Sequence, residues 1–138
     1  MTAQPLYTMD ILRLAGSLAE PRSLEREDGR AEARSPTCGS RIATVVQLER
    51  GRVVAMSQEV RACAFGQAAA ALVERHATGR SRAEIEAALE QVGDWLSGAS
   101  PDPGWGLAAL APALPRTGRH GAITLPFRAL IGAIEAAA

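Results

Sequence analysis

Apolar positions recur along this chain with two different periods, and the change of period marks out its elements. Tyr7, Ile11, Leu14 and Leu18 stand at helical spacing, which predicts an amphipathic helix over residues 5–19, stopped by Pro21. Residues 20–37 are charged and rich in turn formers. They predict a loop with a short edge strand near residues 30–34. The period then falls to two. Ile42, Thr44, Val46 and Leu48 share one face of a strand over residues 41–48; Val54, Met56, Val60 and Ala62 share one face of a second over residues 53–62. Glu49-Arg50-Gly51-Arg52 between them predicts a short turn and an antiparallel hairpin with one buried face.

Helical spacing returns with Phe65, Ala68, Ala69, Leu72, Val73 and His76, and Gly79 is placed to end that helix. Ser81 with Glu84 forms an S-x-x-E capping box for a further helix to about residue 96, its core face Ile85, Leu89, Val92 and Trp95 or Leu96. Residues 97–106 are a loop, residues 107–111 a short helix ended by Pro112, and residues 113–121 a second loop. Residues 122–137 are helical in character, with Pro126 either beginning that helix or kinking it. Strands and helices are segregated along the chain. The predicted class is therefore α+β: a small antiparallel β-sheet, with the hairpin over residues 41–62 at its centre and helices packed on one face.

Length and composition narrow the function classes. A chain of 138 residues predicts a single domain over residues 1–138. Fifteen basic and fifteen acidic residues cancel, which argues against nucleic acid or an anionic membrane as the main partner. Every basic residue is arginine, so no lysine is present to form a Schiff base. No apolar run reaches the roughly 20 residues of a membrane span, and the opening residues, with Asp10 and no basic stretch, do not read as a secretory signal. The expected location is cytoplasmic. There, two cysteines are more often free thiols, ligands or nucleophiles than a structural disulfide.

Three residues carry the candidate chemistry: Cys38 in SPTCGS, Cys63 in RACAFG and His120 in GRHGA, each at an element boundary. The hairpin relates the first two. Both are about equally far from its turn, so antiparallel pairing returns Cys63 to the end of the sheet from which the Cys38 segment enters. Cys63 also stands at the start of a helix, a position that favours the thiolate form of a cysteine. His76 falls on the apolar stripe roughly 20 Å along that helix from Cys63, and a core or capping role is expected for it. On spacing alone, a Cys-Cys-His metal site, inert buried cysteines, a Cys–His nucleophile and a reversible disulfide all remain open.

At these residues the sequence resembles the NifU/IscU-type iron–sulfur cluster assembly scaffolds, most closely their SufU-like branch. The resemblance covers nearly the whole chain in order. LYTMDILRLAGSLAEPRSL resembles the family's opening helix. SPTCGSRI resembles its Asn-Pro-x-Cys-Gly-Asp segment. VRACAFGQAAAALVERHATGRSRAEIE is similar to the segment with the second cysteine, and LPRTGRHGAITLPFRAL to the last ligand loop and its helix. The resemblance implies a SufE/NifU-like fold and a non-enzymatic scaffold. It implies zinc, iron or a transient [2Fe–2S] cluster held by Cys38, Cys63 and His120, with a cysteine desulfurase as partner. Ser40 stands where the family has its aspartate and is a further candidate; Gly121 stands where the family has its third cysteine. A [2Fe–2S] cluster usually takes four protein ligands. The shortened set therefore leaves two other readings: a family member kept as an interaction or regulatory module without cluster chemistry, and a thiol- or zinc-dependent sulfur-transfer enzyme.

Overall fold

The computed structural model describes residues 7–36 and 39–137. The first helix, α1 (Met9–Gly16), is shorter than the apolar spacing predicts. The Thr8 hydroxyl accepts from the Ile11 N–H at 3.2 Å and fixes its start. Its end comes at Gly16, ahead of Pro21. Ile11 is fully buried, and Tyr7 meets Phe65 edge-on at 5.1 Å between ring centroids.

The sheet is three-stranded and antiparallel, ordered β1 (Gly29–Arg34), β2 (Arg41–Glu49), β3 (Arg52–Arg61). β1 is the expected edge strand. Within the hairpin, β2 supplies the centre of the sheet and β3 its other edge. Arg50 and Gly51 both take positive φ, 53° and 75°, as a two-residue hairpin turn with native twist requires.

The facing of β2 follows the sequence pattern: Ile42, Thr44 and Val46 are buried. On β3 the first turn of the pattern inverts. Val53 is fully buried and Val54 is 38% exposed, the reverse of the alternation expected. The cause is a β-bulge. Gln47 pairs with Ala55 but Leu48 pairs with Val53, so Val54 is the extra residue and parity shifts by one.

α2 (Ala64–Ala77) and α3 (Arg82–Leu96) match the predicted helices. The capping box forms, with the Ser81 side chain accepting from the Glu84 N–H and the Glu84 carboxylate accepting from the Ser81 N–H. Two 3-10 turns follow, Leu107–Ala113 and Thr117–Arg119, the first running through Pro112 rather than ending there.

α4 (His120–Ala136) begins two residues before the expected start and takes Pro126 into its interior. The stretch 113–121 is therefore mostly helical turn and not loop. Pro126 is buried in a helix held on both sides by packing, which outweighs its local preference. α4 lies against β1 and β2, with Leu125 and Ala129 packed on Ile42. The approach is close because small residues line it. A Cβ on Gly29 would overlap the Ala133 carbonyl, and one on Gly132 would stand 3.1 Å from the Ala31 methyl. α2 and α3 pack beside α4, and α1 packs on α2. The main core gathers Phe65, Phe127, Ile85, Leu110, Ile123 and Leu130 between sheet and helices.

Candidate metal centre

β2 and β3 end together, with Arg41 paired to Arg61, so the segments before β2 and after β3 emerge at one end of the sheet. Before β2, the described ends of the connection from β1 are tied to each other. The Ser35 N–H donates to the Ser40 carbonyl at 2.9 Å, and the Gly39 N–H to the Ser35 carbonyl at 3.0 Å. Cys38 itself lies outside the described residues. Ser40 is buried at the entry to β2.

After β3, Cys63 is the N-cap residue of α2, with extended backbone (φ −66°, ψ 174°) and half-buried. Its carbonyl accepts the first bond of the helix from the Gln67 N–H at 2.9 Å, but its side chain makes no cap hydrogen bond. The α2 first turn meets the α4 first turn. A Cβ on Gly66 would touch the Ala122 methyl and carbonyl oxygen at 3.4 Å, while the Ala62 methyl, 2.6 Å away, leaves no room for one. Two helix N-termini, each carrying partial positive charge, are thereby gathered at the end of the sheet where Cys63 sits.

His120 opens α4. Its Nε2 lies 3.0 Å from two backbone carbonyls, those of Ala113 and Leu114. Carbonyl oxygens only accept, so Nε2 carries the proton and, in the neutral ring, Nδ1 keeps the lone pair. Metal-ligating histidines are oriented in this way, one nitrogen anchored to backbone and the other left to coordinate. Gly121 and Thr124 line a cavity of about 250 Å³ with Ser35 and Pro36, so the β1–β2 connection and the start of α4 share one recess.

His76 proves structural. Its Nδ1 donates to the Leu72 carbonyl at 2.8 Å, and its ring stacks on Trp105 at 5.7 Å. Glu59 is on the sheet face opposite α4, 61% exposed and 3.8 Å from Arg61, so it is no ligand for a site beside His120.

The donor set decides which metal species suits the site. Among the described residues no three histidine, cysteine or acidic side chains form a metal-binding group. Cys63 and His120 supply one thiol and one imidazole, and Ser40 and Gly121 add neither carboxylate nor thiol. With Cys38 the set would be two sulfurs and one nitrogen, which suits tetrahedral zinc with one open position and falls one short of a [2Fe–2S] cluster.

No family model matches the chain, and no curated protein matches it either. Solved structures do. The N-terminal part of a nitrogen-fixing NifU-like protein from Brucella abortus is 27% identical, with a TM-score of 0.83, over 94% of this chain and 92% of that one. In fold the chain is similar to that NifU-like domain. Its similarity extends to FiSufU from Fervidobacterium islandicum AW-1, described as an iron–sulfur cluster assembly scaffold protein for the SUF system. That protein is 16% identical, TM-score 0.80, over 94% of this chain and 96% of that one. A hypothetical protein at 20% identity has a TM-score of 0.75 over 92% of this chain and 97% of that one. The last two, at such identities, show the fold alone. Within this fold the α2 and α4 starts meet, and Ser35 and Pro36 share a recess with the start of α4. Among the described residues no helix is long and apolar enough to cross a membrane.

Proposed function

We propose that the chain is a cytoplasmic, non-enzymatic scaffold-like protein of iron–sulfur cluster assembly, a single NifU/IscU-like domain over residues 1–138. It binds zinc or iron, or carries a transient [2Fe–2S] cluster as cargo, through Cys38, Cys63 and His120. Ser40, two residues after Cys38, is a further candidate ligand. The observation that supports this best is the His120 ring: two backbone carbonyls hold its Nε2, and Nδ1 is left as a donor at the end of the sheet that carries Cys63. A resident zinc would hold the three segments together and order the site, and the chain's own part is to orient the imidazole and keep the thiols at one rim. A cysteine desulfurase is the partner this reading implies.

Metal content of anaerobically purified protein tests the proposal, with wild type beside Cys38→Ser, Cys63→Ser and His120→Ala. About one zinc or iron per chain, lost in each variant, is the expected result. A folded wild type without metal overturns it. That outcome would favour the second reading, an interaction module without cluster chemistry. The buried hydroxyl at Ser40 and the bare backbone at Gly121 are the observations on its side.

A further inference from the structure

The register of the sheet places three arginines on one rung. Arg34 pairs with Arg41, and Arg41 with Arg61, so the three side chains leave the same face of three adjacent strands, the face opposite α4. Neighbouring strands are about 4.8 Å apart, so three guanidinium stems share a width of about 10 Å. Like charges directly opposite one another disfavour pairing, and a fold has no internal reason to align three of them. One rung further on, Glu32 and Glu59 stand on the two outer strands and pair within their own strands with Arg34, at 2.9 Å, and Arg61, at 3.8 Å. The central strand has Ala43 at that level. Arg41, half-buried, therefore has no carboxylate partner among the described residues.

The three arginines line a cavity of about 550 Å³ with Ser35, Pro36, Gly39 and Ser40. Arg34 also borders the smaller recess on the other side of the same connection, where Arg128 adds a further positive charge. A chain whose charges sum to zero thus concentrates positive charge at one end of its sheet, around an open concave surface. From the rung and the cavity together, the geometry points to a binding site for a small polyanion, one bearing two or more phosphate or carboxylate groups. Arg41 is the central contact and Arg34 and Arg61 are the flanking forks. This site adjoins the metal centre, with which it shares Ser40 and the residues on either side of it, but its charged contacts are guanidinium groups on the outer face of the sheet, and it does not depend on the scaffold reading.

Isothermal titration of the full chain with pyrophosphate and with citrate, at low and constant ionic strength, tests it. Saturable 1:1 binding of either probe is expected, weakened about tenfold or more by Arg41→Gln, as loss of one charge-assisted contact implies. Which of the two binds names the source of the charge. Without ligand, Arg41→Gln should melt no lower than wild type, because it removes like-charge opposition. A lower melting temperature would make the rung structural and overturn the site. Binding that survives Cys63→Ser and fails in Arg41→Gln supports it; the opposite pattern overturns it. So does heat that never saturates, or capture of a poly-glutamate peptide with neither small probe bound, which would make the rung a docking face for an acidic protein.

Discussion

The four helices begin in two different ways. α1 and α3 start on side-chain caps. Thr8 accepts from Ile11, and Ser81 and Glu84 close a full capping box, to which Arg52 adds an ion pair at 2.7 Å. α2 and α4 start on Cys63 and Arg119, and neither makes a side-chain cap hydrogen bond. A capping side chain contributes about 1 kcal/mol, so two helices forgo it. Those two are the pair whose first turns meet beside the candidate ligands. Local rules are kept where the fold only has to be stable. They are broken where a thiol and an imidazole stand at helix starts, the pattern a functional site would leave.

The sharpest way to break this contrast is at Gly66. Gly66→Val drives a branched side chain into Ala62, whose methyl would stand 2.6 Å from the new Cβ, and into Ala122. We expect a loss of about 1–3 kcal/mol in urea unfolding, together with loss of bound metal as the α2 and α4 starts separate. Unchanged stability would show that their contact is dispensable. Next in size is the capped end. Ser81→Ala should cost about 1 kcal/mol and leave metal content as in wild type; a drop in metal would mean that the two ends are not independent.

Cys63→Ser sharpens the contrast from the other side. The backbone at residue 63 already has N-cap geometry, so a serine hydroxyl can accept from the first turn of α2. In chelator-treated protein the variant should be more stable than wild type by about 0.5 kcal/mol, read as a higher urea midpoint. A variant less stable than wild type would remove the trade-off argued here. The smallest effect concerns pH. Hydrogen bonds from Arg52 and Ser81 hold the Glu84 carboxyl at about 2, below its ordinary 4.5. A depressed carboxyl stabilises the fold above its unfolded value. The advantage of wild type over Glu84→Gln should therefore be full above about pH 4.5 and fade as the pH falls toward 2. Urea midpoints near neutrality and near pH 3 check the sign.

Much of the fold was legible because its signals are local. The hairpin turn at Arg50-Gly51, the Ser81–Glu84 box and the apolar stripe of α2 each specify an element within a few residues. The inverted facing of Val53 and Val54 was not legible, since a bulge with no glycine or proline to mark it leaves the residue pattern unchanged. Nor was the start of α4, because Pro126 reads as a boundary until the packing around it is known. For the site, hairpin arithmetic brought the Cys38 segment and Cys63 to one end of the sheet. The proton on Nε2 of His120 depends on carbonyls six and seven residues upstream, which no local pattern reveals. The arginine rung needs two registers at once, β1 on β2 and β2 on β3, and no single stretch of sequence carries both.

The bulge at Val54 also bears on how the chain behaves in a crowd. β3 is an edge, and a long regular edge invites a strand from another molecule. Here the first residues of β3 are already engaged on that side: the Val53 N–H donates to the Arg80 carbonyl at 3.0 Å, and the Val53 carbonyl accepts from Gly79 at 2.7 Å. The next residue is the bulge itself, which bends the ladder before it can be copied. The Gly79-Arg80 link between α2 and α3 thus works with an irregular residue to shorten the exposed template. The β3 edge is in this way shortened as a template for a strand of another molecule.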